Sequence, residues 1–150
     1  MKVDIKDLKR LREKTSASIA DCRMALEQTK GDFQESLKWI KVRGFEKAEK
    51  KSDRKTSQGL VDCYIHQNGR IGAMASVLCE TDFVAKTSEF KNLAHEIAMQ
   101  VASMNPKDVD SLLKQEYIRD ASKTVGELVK EAIAKLGENI VVKEFKRFKI

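Results

Sequence analysis

The sequence predicts an α+β protein: a three-helix N-terminal bundle followed by a three-stranded antiparallel sheet with helices on one face. Three observations carry this. Apolar residues recur at helical spacing in three short stretches within the first 44 residues. Two β-prone runs then flank Asn68-Gly69, the strongest short hairpin signal. Finally, helical stripes separate that hairpin from a β-prone C-terminal segment, "NIVVKEFKRFKI".

The elements follow in order. In "DIKDLKRLREKT", Ile5, Leu8 and Leu11 share one helical face. "TSAS" interrupts, and Ser18 opens a second helix with Asp21 three residues on, an approximate capping box. Cys22, Ala25, Leu26 and Thr29 share its face, and Gly31 is its stop. Asp32 caps a third helix, with Glu35 at the capping-box position and a stripe of Phe33, Leu37 and Ile40 beside Trp39. Gly44 is expected to end it. The bundle therefore occupies residues 1–45. "EKAEKKSDRKTSQ" (46–58) is densely charged, has no apolar face, and reads as a linker with at most a frayed helical start.

Residues 59–150 form the second unit. "LVDCYIH" and "IGAMASVLC" make the hairpin. A type I′ turn at Asn68-Gly69 pairs Cys63 with Met74 and leaves Cys79 beyond the pairing, against a Cys63–Cys79 disulfide. Ile71, Ala73, Ala75, Val77 and Cys79 line one face of the second strand, Met74 and Leu78 the other. Both faces are partly apolar, so helices cover one and something else, such as a second copy of the sheet, the other. A helix over 88–104 carries Phe90, Leu93, Ala94, Ile97, Ala98 and Val101 and stops at Met104-Asn105-Pro106. Residues 108–119 suggest a weak helix, and "TVGELVKEAIAKLG" (124–137) a strong one with a Thr124/Glu127 capping box and Gly137 at its end. In the last strand Phe145 and Phe148 have opposite parity, which calls for a bulge or a face turned to a partner.

Composition narrows the function. Hydrophobic residues make up 41% and charged residues 35%, enough apolar content for a core in a soluble chain. No apolar run approaches the roughly 20 residues of a membrane helix. "MKVDIKDLKRLREK" lacks a signal core, so a folded N-terminus and a cytoplasmic setting are expected. Cys22, Cys63 and Cys79 have no CxxC spacing, and His66 and His95 stand far apart. There is no P-loop, GxGxxG, GxSxG or HExxH, and so no positive case for an enzyme, a cofactor or a bound metal. The net charge of +6 lies wholly in residues 1–55, which hold 16 Lys/Arg and 10 Asp/Glu; residues 56–150 hold 13 of each. A basic region of this kind fits a nucleic-acid-binding module, an acidic protein partner, or a solvated helical surface.

"ETDFVAK" (80–86) breaks the pattern by placing Asp82 and Phe83 in a short connection. Phe83 either folds back as a staple on the following helix or projects outward as a wedge, with Asp82 beside it. Spacing alone leaves both readings open.

"TDFVAKTSEF" resembles the signature loop of the elongation factor Ts family, nucleotide exchange factors for elongation factor Tu. "LREKTSASIADCRMALEQTKGDFQESLKWIKVRG" is similar to the family's ubiquitin-associated-like domain, and "KTVGELVKEAIAKLGENIVVKEFKRF" to the end of its core domain. The resemblance implies that Thr81, Asp82, Phe83 and Val84 enter the GTPase domain of elongation factor Tu and dislodge its magnesium. It implies N-terminal contacts through Arg12, Ile19, Ala20, Cys22 and Arg23, and an approach of Leu136, Gly137, Glu138 and Asn139 to the phosphate-binding side. It further implies no cofactor, no direct nucleic-acid contact, a cytoplasmic or organellar setting, and, as in short members of the family, a homodimer. A basic nucleic-acid-binding module and a non-exchanging adaptor remain as alternatives. Where the family commonly has Thr-Gly-Ala-Gly-Met-Met-Asp-Cys, this chain has Thr15-Ser16-Ala17-Ser18-Ile19-Ala20-Asp21-Cys22, losing two glycines and two adaptable methionines. The stretch from Asn105 to Ser122 is too short for the second subdomain and coiled coil of longer relatives.

Overall fold

The computed structural model describes residues 3–150. Helix α1 (Ile5–Thr15) is capped by Asp4, whose carboxylate accepts from the Lys6 N–H. Leu11 is fully buried beneath it, whereas Ile5, at its first turn, is exposed, so the stripe is shorter than its spacing implies. Helix α2 (Ile19–Gln28) begins at Ser18, whose hydroxyl accepts from the Asp21 N–H. Cys22, Ala25 and Leu26 pack with Leu11 and Ile40 to make a small first core. The Thr29 hydroxyl donates back to the Ala25 carbonyl, and Gly31 takes a positive φ of 86° to turn the chain.

Helix α3 (Phe33–Glu49) starts at Asp32 as expected but does not stop at Gly44. Residues 46–49, read from their charge as the start of a linker, are regular helix. The reason is packing. A Cβ on Gly44 would lie 3.2 Å from the Ala134 Cβ, so the glycine lets α3 approach a second helix closely. One turn further on, Ala48 is buried in the larger core. The helix thus serves both cores, Ile40 in the first and Ala48 in the second.

The larger unit is built on a sheet of order β1-β2-β5, all antiparallel. Strands β1 (Gln58–Ile65) and β2 (Ile71–Cys79) form the hairpin with Cys63 opposite Met74. The turn differs from the type I′ expectation. Gly69 alone has positive φ, and its N–H bonds to the His66 carbonyl, giving a four-residue loop closed by the His66 N–H on the Ile71 carbonyl. The register is the same because both loops are centred on Asn68-Gly69. Strand β1 also starts earlier than expected, so Cys79 is paired, opposite Gln58. Gly59 makes that start possible: its φ is +148°, and a Cβ there would sit 2.1 Å from the Val77 carbonyl oxygen. All three cysteines are free.

Helix α4 (Asp82–Ala85) is a single turn, and α5 (Ser88–Met104) lies across the inner sheet face. Phe90, Leu93, Ala94, Ile97, Ala98 and Val101 are buried, as their spacing predicts. Helix α7 (Val125–Leu136) has the full Thr124/Glu127 capping box and ends on Gly137 at φ 79°. Strand β5 (Ile140–Lys149) carries the bulge: Val142 faces Val77 and Glu144 faces Ser76, leaving Lys143 unpaired. Phe145 therefore packs inward and Phe148 points out.

The weak helix expected over 108–119 is replaced. Helix α6 covers only Val109–Lys114, and β3 (Glu116–Tyr117) with β4 (Asp120–Thr124) forms a small ribbon. The fully buried Gln100 side chain donates to the Glu116 carbonyl and accepts from the Ile118 N–H, satisfying groups that a longer helix would bond internally. Tyr117 donates to Glu96 (2.5 Å), which also pairs with Arg119 at 2.6 Å. Burial, then the bond to Glu96, pushes the Tyr117 phenol up to about 12, so it remains a donor.

Candidate functional site

The tip of the sheet where β2 ends is the site. Helix α4 has four residues, too few to hold itself together without support at its ends. At its start the Thr81 hydroxyl accepts from the Val84 N–H. At its far side the Thr87 hydroxyl donates to the Val84 carbonyl and caps α5 by accepting from Phe90 N–H. Ala85 is buried and Val84 packs on the main core. With two residues held beneath, Asp82 and Phe83 project on the other side. Phe83 is 80% exposed, which excludes the staple reading. Asp82 pairs with Lys86 at 2.9 Å, and that bond holds its carboxyl below the usual range.

The neighbouring turn, Gly137 to Asn139, meets this tip. Glu138 Oε2 accepts the N–H groups of Glu80 (3.0 Å) and Thr81 (2.9 Å), while Oε1 accepts the Thr81 hydroxyl (2.5 Å). Glu80 answers by accepting the Asn139 N–H at 2.7 Å. Asn139 is buried, and its amide donates to the carbonyls of Ser52 and Arg54. Arg54 lies 3.6 Å from Glu80. Leu136 is half-buried against the core and Gly137 is exposed. The structure thus brings Thr81–Val84 and Leu136–Asn139 together, with Glu138 and Asn139 turned toward the chain's own groups.

The N-terminal residues lie apart from this tip, on α1 and α2. Arg12, Ile19, Ala20 and Arg23 are exposed, and Arg23 pairs with Glu27 at 3.0 Å. Cys22 is fully buried in the bundle core. Burial pushes the Cys22 thiol up, and burial followed by the Glu138 charge does the same for Cys79, so both are thiols at neutral pH. Ser16 takes a left-handed φ of 54°.

Glu80 and its partnership with Glu138 were not visible from the sequence. Fifty-seven residues separate the bonded groups of Thr81 and Glu138, and no periodicity reports such a contact. Glu138 directly after the helix-ending Gly137 is the only local hint. Among the described residues no group of His, Cys, Asp and Glu is placed to hold a metal, and no helix is long and apolar enough to cross a membrane.

The chain that builds this bundle, α+β body and exposed aromatic tip is similar in sequence to a defined class of translation proteins. The family model described as "Elongation factor TS" matches residues 80–150. Elongation factor Ts of Thermoanaerobacter sp. (strain X514) is 40% identical, the match covering 94% of this chain and 91% of the relative. That of Coprothermobacter proteolyticus is 38% identical over 99% of this chain and 98% of the relative, and that of Nostoc sp. is 44% identical over 97% of this chain but 46% of the relative. The chain belongs to the elongation factor Ts family of translation elongation factors. The Thermoanaerobacter match extends over 186 positions against 150 residues here, so at least 36 positions of that relative have no counterpart in this chain (186 − 150).

Proposed function

We propose that the chain is a guanine-nucleotide exchange factor that binds elongation factor Tu in its GDP-bound form and speeds GDP release. The observation that carries this reading is Phe83, 80% exposed on a turn capped at both ends. A single exposed aromatic is ordinary on a loop. One on a turn whose neighbours are buried and hydrogen-bonded is held ready to enter a pocket on another molecule, with little ordering cost on binding. The mechanism is linkage. A factor that binds the nucleotide-free shape best must weaken nucleotide affinity by the same factor. Phe83 separates packed groups near the magnesium site, and Asp82 adds charge and bulk there. Gly137, exposed beside this tip, comes up to the phosphate-binding side.

The division of labour follows the two cores. The bundle docks through Arg12, Ile19, Ala20 and Arg23, while the 59–150 body carries the tip. Cys22 shapes the docking surface from behind. The chemistry takes place in the GTPase, so this chain needs neither a catalytic base nor a cofactor. The uncovered sheet face pairs with a second copy, giving a homodimer with two tips. Against the nucleic-acid alternative, some N-terminal cations are already engaged: Lys38 with Glu35, and Arg43 and Lys47 with Asp21.

The test is release of fluorescent GDP from elongation factor Tu with and without the protein. Phe83→Ala is expected to slow release at least about ten-fold and Asp82→Ala by less, with unfolding midpoints unchanged. Equal release rates for wild type and both variants would sink the wedge, and binding without any acceleration would leave an adaptor.

A further inference from the structure

The geometry points to Glu138 as the positioning residue for the Phe83 turn, acting through a carboxylate-to-backbone clamp that Glu80 reciprocates. This rests on the exchange reading above.

The argument starts from what α4 lacks. A four-residue helix has a short ladder, here the Ala85 N–H on the Thr81 carbonyl and the Lys86 N–H on the Asp82 carbonyl, so its aim depends heavily on the residue that enters it. That residue is Thr81, whose hydroxyl is committed to capping. Its N–H and that of Glu80 lie before the helix and need other acceptors. Glu138 supplies them: Oε2 takes both amides, and Oε1 takes the hydroxyl hydrogen. Three donors on one carboxylate fix both the position and the rotation of the peptide leading into α4. Glu138 is itself held, because its following residue gives its N–H to Glu80. Two turns distant in sequence therefore exchange carboxylate-to-amide bonds.

Both carboxylates are held by donors: Glu138 accepts two backbone N–H groups, Glu80 accepts one, and Arg54 stands 3.6 Å from Glu80. Arg54 and Ser52 are tied in turn by their carbonyls to the Asn139 amide. The clamp is thus anchored on the segment that follows α3, and both Glu138 oxygens are spent inside the chain. Glu138 acts on the partner only through where it aims Phe83.

Losing the clamp leaves docking intact and misdirects the ring. The expected signature is a lower maximal release rate at unchanged half-saturation. The experiment pairs two assays on the whole chain: GDP release from elongation factor Tu across a range of factor concentrations, and amide hydrogen exchange of the free protein. In Glu138→Ala the maximal rate is expected to fall about ten-fold, with half-saturation moving less than about two-fold. In the same variant the Glu80 and Thr81 amides lose protection while the α5 amides keep theirs. Glu138→Gln retains one acceptor oxygen and is expected to restore most of both. If Glu138→Ala does not fold, Glu138→Asp, which draws the carboxylate back by one methylene, is read in the same two assays.

A slower rate with Glu80 and Thr81 protection unchanged makes Glu138 a direct partner contact and overturns the proposal. So does an unchanged rate in Glu138→Ala while Phe83→Ala is slow. If the wild type does not accelerate release at all, the exchange reading itself falls, and the positioning role falls with it.

Discussion

Ser16 occupies a left-handed conformation, φ 54°, directly after α1, and its N–H bonds the Arg12 carbonyl as a helix end requires. A residue with a Cβ is strained there, by about 1 kcal/mol relative to glycine. Ser16→Gly is therefore expected to raise stability by about 0.5–1 kcal/mol in urea titration. No gain would mean that the loss of freedom in the unfolded chain matters more than the relieved strain. Gly59 is the opposite case. A Cβ there would fall 2.1 Å from a backbone oxygen of the neighbouring strand, and backbone cannot move aside cheaply. Gly59→Ala should cost about 2 kcal/mol or more, read as a lower midpoint. Asp21 gives a pH effect. Burial is the largest single influence on its carboxyl and raises it, but bonds from Lys47 and Ser18, the Lys47 charge and Arg43 together hold it below the ordinary 3.8. The folded state therefore prefers the charged form. Its contribution is complete above the unfolded value and vanishes as pH falls through the lower folded one. The stability difference between wild type and Asp21→Asn should accordingly shrink on acidification below about pH 4. A constant difference down to pH 2 would deny Asp21 this role.

At the scale of elements, the sequence made most helices and strands legible because their signals are local. The α5 stripe, the Thr124/Glu127 box and the Asn68-Gly69 hairpin each sit within a few residues. Two of the misreadings share a cause, a tertiary partner overriding a local cue. Gly44 looked like a stop and is a contact with Ala134. Residues 116–119 were expected to end a weak helix and instead join a ribbon that Gln100 bonds at Glu116 and Ile118. The Phe83 tip was legible as an oddity, but its support was not, since Glu138 and Asn139 reach it across the fold. The α3–α7 contact is testable by volume. Gly44→Leu places a large side chain where one Cβ already comes within 3.2 Å of Ala134. It should destabilise by about 1–3 kcal/mol, and Ala134→Gly in the same chain should recover part of that loss.

For the whole molecule, the outer sheet face matters most. Val61, Ile65, Met74 and Phe148 stand on it, with Val61 60% and Phe148 59% exposed. They come from all three strands, so apolar side chains stand across the width of the face, with Lys146 opposite Met74. A symmetric pairing of two such faces would bury it as a sandwich does. The chain is expected to have a dimeric mass by sedimentation at micromolar concentration. Met74→Lys, in the centre of that face, should give a monomer with an unchanged circular dichroism spectrum. A wild-type monomer at high concentration would rule the pairing out. The composition hinted at this surface through a second strand apolar on both sides, but which side lay open required the sheet order.

Helix α3 enters the molecule in one hydrophobic centre and leaves it in another, and the chain emerging from it is fastened straight to the clamp behind the Phe83 turn. Bundle and tip are therefore joined through one continuous helix, with no unstructured stretch between the two cores it enters. Under the exchange reading proposed above, a partner held by the one would meet the other at a separation that this helix sets.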